Sequence, residues 1–244
     1  MAIITLVCIL DAQKRDAAPI KMERHTRMSD NSTRPNALIL LACLSSVISM
    51  SFALGQQPAN SVVALQESFE RPELGDKWTY SKGNWKIADS ALTVRELPQN
   101  GEAAVIRRSV ETGNAVYEFK FMLSDKCKSM TFGFDPAKSK SDKDEHSFSL
   151  IVTPDSWRIT KLRDNTEPNE SVNQVIAQER ETFKADRWYR LRITTWGPFV
   201  TAKIDDEIPL KVSDSSFAAQ KSVLTFRCTG GPVEIDDIQV WTQR

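Results

Sequence analysis

From about Ser68 to its end, this chain alternates apolar and polar residues with a period of two. Between Val116 and Leu123, Tyr117, Phe119, Phe121 and Leu123 share one face, with Glu118 and Lys120 opposite. Met130, Phe132 and Phe134 alternate with Thr131 and Gly133, and Phe148, Leu150 and Val152 repeat the pattern before Trp157, Ile159 and Lys161. Tyr189, Leu191, Ile193 and Thr195 stand against Arg190, Arg192 and Thr194. Val200, Ala202 and Ile204 continue the pattern, and the runs Val223–Cys228 and Val233–Trp241 close the chain. Successive side chains of a strand point to opposite faces, so this period marks strands buried on one side.

Turn-forming residues fall between the runs, at Pro98–Gly101, Thr112–Asn114, Thr153–Asp155, Asp205–Asp206 and Thr229–Pro232. The pattern predicts about a dozen antiparallel strands and one helical turn near Ser215–Gln220. Many short strands at this spacing make an all-β sandwich or barrel. No repeat is visible and no Pro/Ser-rich linker divides residues 60–244, so one domain is expected over 66–244, preceded by a short linker over 56–65. Two polar segments, Lys138–Glu145 and Asn165–Asn173, read as loops, which on a rigid sandwich carry either binding groups or plain solvated charge.

Residues 1–55 read as a leader. Ala37–Leu54 holds no charge, follows Arg34 and gives way to Gly55–Gln56–Gln57, with Ser51 and Ala53 as small residues for cleavage after Ala53 or Gly55. Export to the periplasm or beyond is expected, and contact with a membrane only if the leader stays uncleaved, since the apolar run is at the lower limit of spanning length. Residues 1–27 begin with a short apolar run and are mixed in charge from Asp11 onward; Met22, within them, and Met28 each open a conventional signal peptide, so a start assigned too far upstream is the simplest account.

Lysine plus arginine and aspartate plus glutamate each number 32, and residues 56–244 keep 26 basic against 28 acidic groups. A nucleic-acid partner needs a basic face that displaces counterions, and this balance offers none. Cys127 and Cys228 are the cysteines outside the leader. They are a candidate disulfide in an exported chain, the alternative being two separate buried thiols. No CxxC and no Cys/His cluster suggests a zinc site.

Several segments together resemble the concanavalin A-like lectin/glucanase superfamily. They are Glu67–Leu74, Trp78, Gly83–Ile87 and Ala91–Val94, then Trp188–Leu191 leading to Ala202–Glu207, and the closing strand Val233–Trp241. Within it the chain is most similar to the exported bacterial domains named after 3-keto-disaccharide hydrolase. The resemblance covers about residues 66–242 and implies a concanavalin A-like jelly-roll β-sandwich with a glycan groove on its concave sheet. It implies that Trp78, Trp85 and Trp188 pack the sandwich, and that a histidine precedes the strand at 147–152, where His146 stands. Asp206 occupies the usual glycine place in the hairpin turn, and aspartate tolerates that left-handed geometry.

Glucanases of this superfamily carry three acids as E-x-D-x-x-E or E-x-D-x-E on one strand face. Here Glu234 and Asp236 supply two, but positions 238 and 239 are Ile and Gln. A glycosidase normally needs two carboxyls at fixed separation. His146, beside Asp142, Asp144 and Glu145, is the candidate acid, base or sugar contact. Trp157 and Trp196 lie near strand ends and are the candidate sugar-stacking aromatics, with core packing as their alternative. Asp135, Asp142 and Asp144 are oxygen ligands that could hold Ca²⁺, though no spaced calcium loop is present; no other cofactor is implied. Three readings follow: a carbohydrate-recognition module, an enzyme cleaving a glycosidic bond in a 3-keto sugar with His146 or a nearby Asp as base, and a structural or protein-binding domain. Fold-level analogy alone does not choose among them.

Overall fold

The structure is a computed structural model, and it describes residues 58–97, 99, 101–136, 148–162 and 173–243. The expected leader over 1–55 lies outside them, as do His146, Asp142 and Asp144. In chain order the strands are β1 (Ser61–Glu67), β2 (Trp78–Lys82), β3 (Asn84–Ala88), β4 (Ala91–Arg95), β5 (Ala104–Thr112), β6 (Ala115–Leu123), β7 (Cys127–Pro136) and β8 (Phe148–Thr153). They continue with β9 (Ser156–Lys161), β10 (Gln174–Arg180), β11 (Trp188–Trp196), β12 (Phe199–Ile204), β13 (Leu210–Ser213), β14 (Lys221–Gly230) and β15 (Val233–Gln243). One 3-10 turn, Ser215–Ala218, stands where a helical turn was expected, and the Asp214 side chain caps it by accepting from the Ser216 amide at 2.9 Å.

All strand pairs are antiparallel, and they form two sheets. One runs β13-β12-β11-β6-β15-β4-β3 with β1 also on β15, and the other runs β10-β9-β8-β7-β14-β5-β2. β15 serves two partners along one edge. Val233–Ile235 pairs with β4, while Ile238–Gln243 pairs with β1. The register shift between Asp236 and Gln239, with Asp237 at φ 50°, separates the two halves.

The core lies where the inner faces meet. Phe119 of β6 meets Phe132 and Phe226 of the other sheet at 5.2 and 5.1 Å, and Tyr117 stacks on Phe134 at 5.7 Å. Those residues are the apolar half of the alternation, and burying them is the main favourable term of folding. The buried hydroxyl of Tyr117 is satisfied by Thr112 Oγ1 at 2.6 Å. Where the chain passes from β2 in one sheet to β3 in the other, Gly83 takes φ 88°, and a Cβ there would lie 2.2 Å from the Ala104 Cβ. Only glycine fits that crossing.

Three expectations need correction. β1 begins at Ser61, inside the stretch read as linker, because pairing with β15 holds it; Leu65 is its one buried apolar side chain, so its period is weak. The left-handed residue of the β12–β13 turn is Asp205, at φ 44°, and not Asp206; its carboxylate accepts from the Arg190 amide at 2.8 Å. Trp188 does not pack the sandwich but is exposed, because it shares the outward parity of Arg190 and Arg192 on β11.

Candidate functional site

The seven-stranded sheet turns its even-numbered residues inward and its odd-numbered residues outward on both β14 and β7, as the cross-strand register requires. Leu224, Phe226 and Cys228 enter the core, so Val223, Thr225, Arg227 and Thr229 face out. Phe132 and Phe134 enter from β7, so Thr131, Gly133 and Asp135 face out, as do Ser149 and Ile151 on β8 and Arg158 and Thr160 on β9.

Register assembles these into two rows that cross every strand. The first runs Thr79, Arg107, Thr225, Gly133, Ser149, Thr160 and Val175. The second runs Lys82, Val105, Arg227, Thr131, Ile151, Arg158 and Gln178. The middle of the first row is a recessed, hydroxyl-lined floor: Thr225, Ser149 and Thr160 are 3%, 7% and 4% exposed although they point away from the core. Gly133 sits between Thr225 and Ser149, and a Cβ on it would lie 2.9 Å from the Phe148 carbonyl oxygen, so no side chain rises there. Thr225 Oγ1 donates to Asp135 Oδ2 at 3.2 Å, whereas Thr160 Oγ1 is buried with no hydrogen-bond partner. A buried polar group left unpaired is uncommon, and Ser124 Oγ and Asp236 Oδ1 share that condition elsewhere in the described residues.

Clefts open at both ends of the rows. One of about 600 Å³ is lined by Ser81, Lys82, Glu102, Ala103, Val105, Arg107 and Arg227. Another of about 670 Å³ is lined by Asp155, Ser156, Gln178, Arg180, Glu181 and Thr182.

The eight-stranded sheet presents a different outer face. Glu118 accepts from Arg190 and Arg192, Lys120 pairs with Asp237 at 2.6 Å, and Arg192 lies over the Trp241 ring at 5.9 Å. Glu234 and Asp236 also point outward on β15, and burial, with Asp89 and Asp186 for Glu234, pushes both carboxyls up. The third acid that the sequence motif lacked stands nearby as Glu118, opposite Gln239 in register, but two guanidiniums neutralise it.

The aromatic candidates separate. Trp157 is only 1% exposed, its face toward the core beside Val152, so it cannot stack on a sugar. Trp196 is 53% exposed and pairs across the β11–β12 hairpin with Phe199, 57% exposed. This aromatic pair lies on the eight-stranded sheet, not beside the hydroxyl floor, and Phe199 escaped the sequence reading because the residue beside a Gly-Pro turn shows no period. Cys127 and Cys228 are free, buried thiols in mutual hydrogen-bonding contact, which pushes the Cys127 thiol down and the Cys228 thiol up. Asp135 of the calcium candidates faces outward on β7, and His146 lies outside the described residues. The floor residues Thr225, Gly133, Ser149 and Thr160 were missed in sequence because they are merely the polar half of the alternation.

No protein-family model matches the chain, and no curated protein matches it. Among solved structures it is similar to the laminarinase from Rhodothermus marinus, at 11% identity over 75% of this chain and 97% of that one, with a TM-score of 0.58. It is similar to a non-specific endo-β-1,3(4)-glucanase of family GH16 at 9% identity over 78% and 94%, TM-score 0.58. A Bacillus subtilis protein of unknown function with a galectin-like fold gives 13% identity over 75% and 98%, TM-score 0.55. Likeness at these identities speaks for the fold alone: this is a concanavalin A-like β-sandwich, an architecture that it shares with glycoside hydrolases.

Proposed function

We propose that this chain is an exported carbohydrate-recognition module, of the 3-keto-disaccharide hydrolase-like type, which binds a glycan across the outer face of its seven-stranded sheet. The observation that carries the reading is the row of Thr225, Gly133, Ser149 and Thr160 on this outer face, continued by Arg107 beside Thr225. Sugar hydroxyls both donate and accept, and so do serine and threonine hydroxyls, while arginine adds forked donors. A glycine in the middle lets a ring lie close to the sheet. The fold's likeness to glucanases raises the expectation of a sugar ligand without identifying one.

A second reading, cleavage of a glycosidic bond in a 3-keto sugar, is favoured by Asp135. It shares this face with Arg107, two strands away and one row apart, so the same surface carries a carboxylate and a cation. The ketone acidifies the neighbouring C–H; the base removes that proton and the electron pair expels the glycosidic oxygen. Native mass spectrometry with neutral and acidic oligosaccharides and their 3-keto derivatives tests both. Intact complexes abolished by Ser149→Tyr support recognition on this face. Shortened products abolished by Asp135→Asn support the enzyme, and complexes indifferent to Ser149→Tyr place the site elsewhere.

A further inference from the structure

The second row of the same face carries a charge pattern that the hydroxyl floor does not explain. Lys82, Arg227 and Arg158 all stand in it, separated by Val105, Thr131 and Ile151. Lys82 is engaged by Glu102 at 2.6 Å. Among the described residues, no carboxylate pairs with Arg227 or Arg158. The acids around them are committed or distant from the row's centre. Glu102 holds Lys82, Asp155 accepts from Thr153 at 2.8 Å, Asp135 accepts from Thr225, and Glu181 lies in the far cleft beside Arg180.

Guanidinium groups are always charged and match carboxylate and sulfate oxygens with two parallel N–H donors. Arg227 on β14 and Arg158 on β9 are three strand spacings apart, about 14 Å at ~4.8 Å per strand. One pyranose ring cannot span that gap, so each guanidinium would meet a different residue of a chain. Between them Thr131 offers a hydroxyl and Ile151 an apolar surface, the two features a sugar ring presents in return. Arg227 also lines the nearer cleft beside Arg107, which gives the chain an end pocket.

We propose that the ligand of this face is an acidic oligosaccharide, laid across the strands with anionic groups on separate sugar units held by Arg227 and Arg158. The inference rests on the reading of this sheet as the glycan face. Uronate carboxylates and sulfate esters share the required chemistry.

The test is titration calorimetry of the protein with tetragalacturonate, its fully methyl-esterified form, a chondroitin sulfate tetrasaccharide and cellotetraose. Methyl esterification removes the charge and leaves the rings. Expected are at least tenfold tighter binding of one acidic ligand than of the neutral ones, and weakening with added salt. Arg158→Gln and Arg227→Gln should each weaken acidic binding five- to tenfold, with unchanged thermal unfolding because neither side chain is in the core. Tighter binding of galacturonate identifies a carboxylate, and of chondroitin sulfate a sulfate. Equal binding of the ester or of cellotetraose, or indifference to both substitutions, overturns the acidic ligand and leaves the glycan face standing. Binding of none of the four, together with no complex in the wider oligosaccharide panel, overturns both.

Discussion

Glu118 of β6 and Arg192 of β11 stand opposite each other in register, and Arg192 Nη1 donates to Glu118 Oε2 at 2.7 Å. The other carboxylate oxygen accepts from Arg190 at 2.5 Å, and Glu118 is 3% exposed although it points away from the core. The fork is therefore an ion network closed over the outside of the sheet. Removing one partner of a buried pair leaves a desolvated charge. The arginines are partly exposed, which tempers the loss. Glu118→Gln should cost roughly 2 kcal/mol in urea unfolding, below the ~3–5 kcal/mol of a fully buried pair that is broken. A double-mutant cycle with Arg192→Gln should return a coupling above about 0.5 kcal/mol; strict additivity would mean that the pair is ornamental.

Lys221 is buried at the start of β14, where its ammonium meets the carbonyls of Gly113 at 3.2 Å and Ala219 at 3.0 Å and the Phe134 ring at 5.1 Å. Burial pulls its pKa down to about 8 from the usual 10.5. The folded protein thus releases this proton at a lower pH than the unfolded chain does. Below pH 8 both states are protonated and the cost is constant; from 8 to 10.5 unfolding takes up a proton, and the cost is relieved. The relief is on the order of 3 kcal/mol. Measured against Lys221→Met, the wild-type protein should gain stability between pH 7 and pH 10. Parallel stability curves would refute the burial cost.

Glu67 behaves in the opposite sense. Burial raises its pKa, but hydrogen bonds from Arg71, Trp78 Nε1 and the Phe69 amide outweigh burial and hold it below the usual 4.5. Its contribution is full above the unfolded pKa and lost as pH falls through the folded one. Acid unfolding followed by Trp78 fluorescence should show the midpoint moving to higher pH in Glu67→Gln, and the stability difference between the two proteins should shrink below pH 4. A pH-independent difference would show that the carboxylate's charge is irrelevant.

Gly83→Ala places a Cβ against Ala104 and forces a residue with a side chain to φ 88°. Crowding and backbone strain together should cost roughly 3 kcal/mol or more. Gly75 also has a positive φ, 74°, but open space around it, so Gly75→Ala should cost only about 1 kcal/mol. Thermal denaturation of the two variants separates strain from collision, and equal losses would assign everything to φ.

The sequence by itself determined the fold class. A two-residue period written in Tyr117–Phe119–Phe121, in Phe132–Phe134 and in Leu191–Ile193 admits one buried face per strand, and therefore a sandwich or a barrel. It also placed the turns and the 3-10 segment, because turn residues act locally. Only the tertiary structure decided which outward residues meet. Thr225, Gly133, Ser149 and Thr160 are neighbours in one row although 92, 16 and 11 positions of chain separate them in turn, and strand order and register bring them together. The same holds for Glu118, whose polarity read as surface until two arginines from β11 closed over it. Trp157 and Trp196 show the limit most directly: identical side chains near strand ends, one in the core and one in solvent, separated by parity within their strands. Periodicity is a local property that a chain carries along its length, whereas a site depends on which strands lie side by side, and long-range pairing settles that.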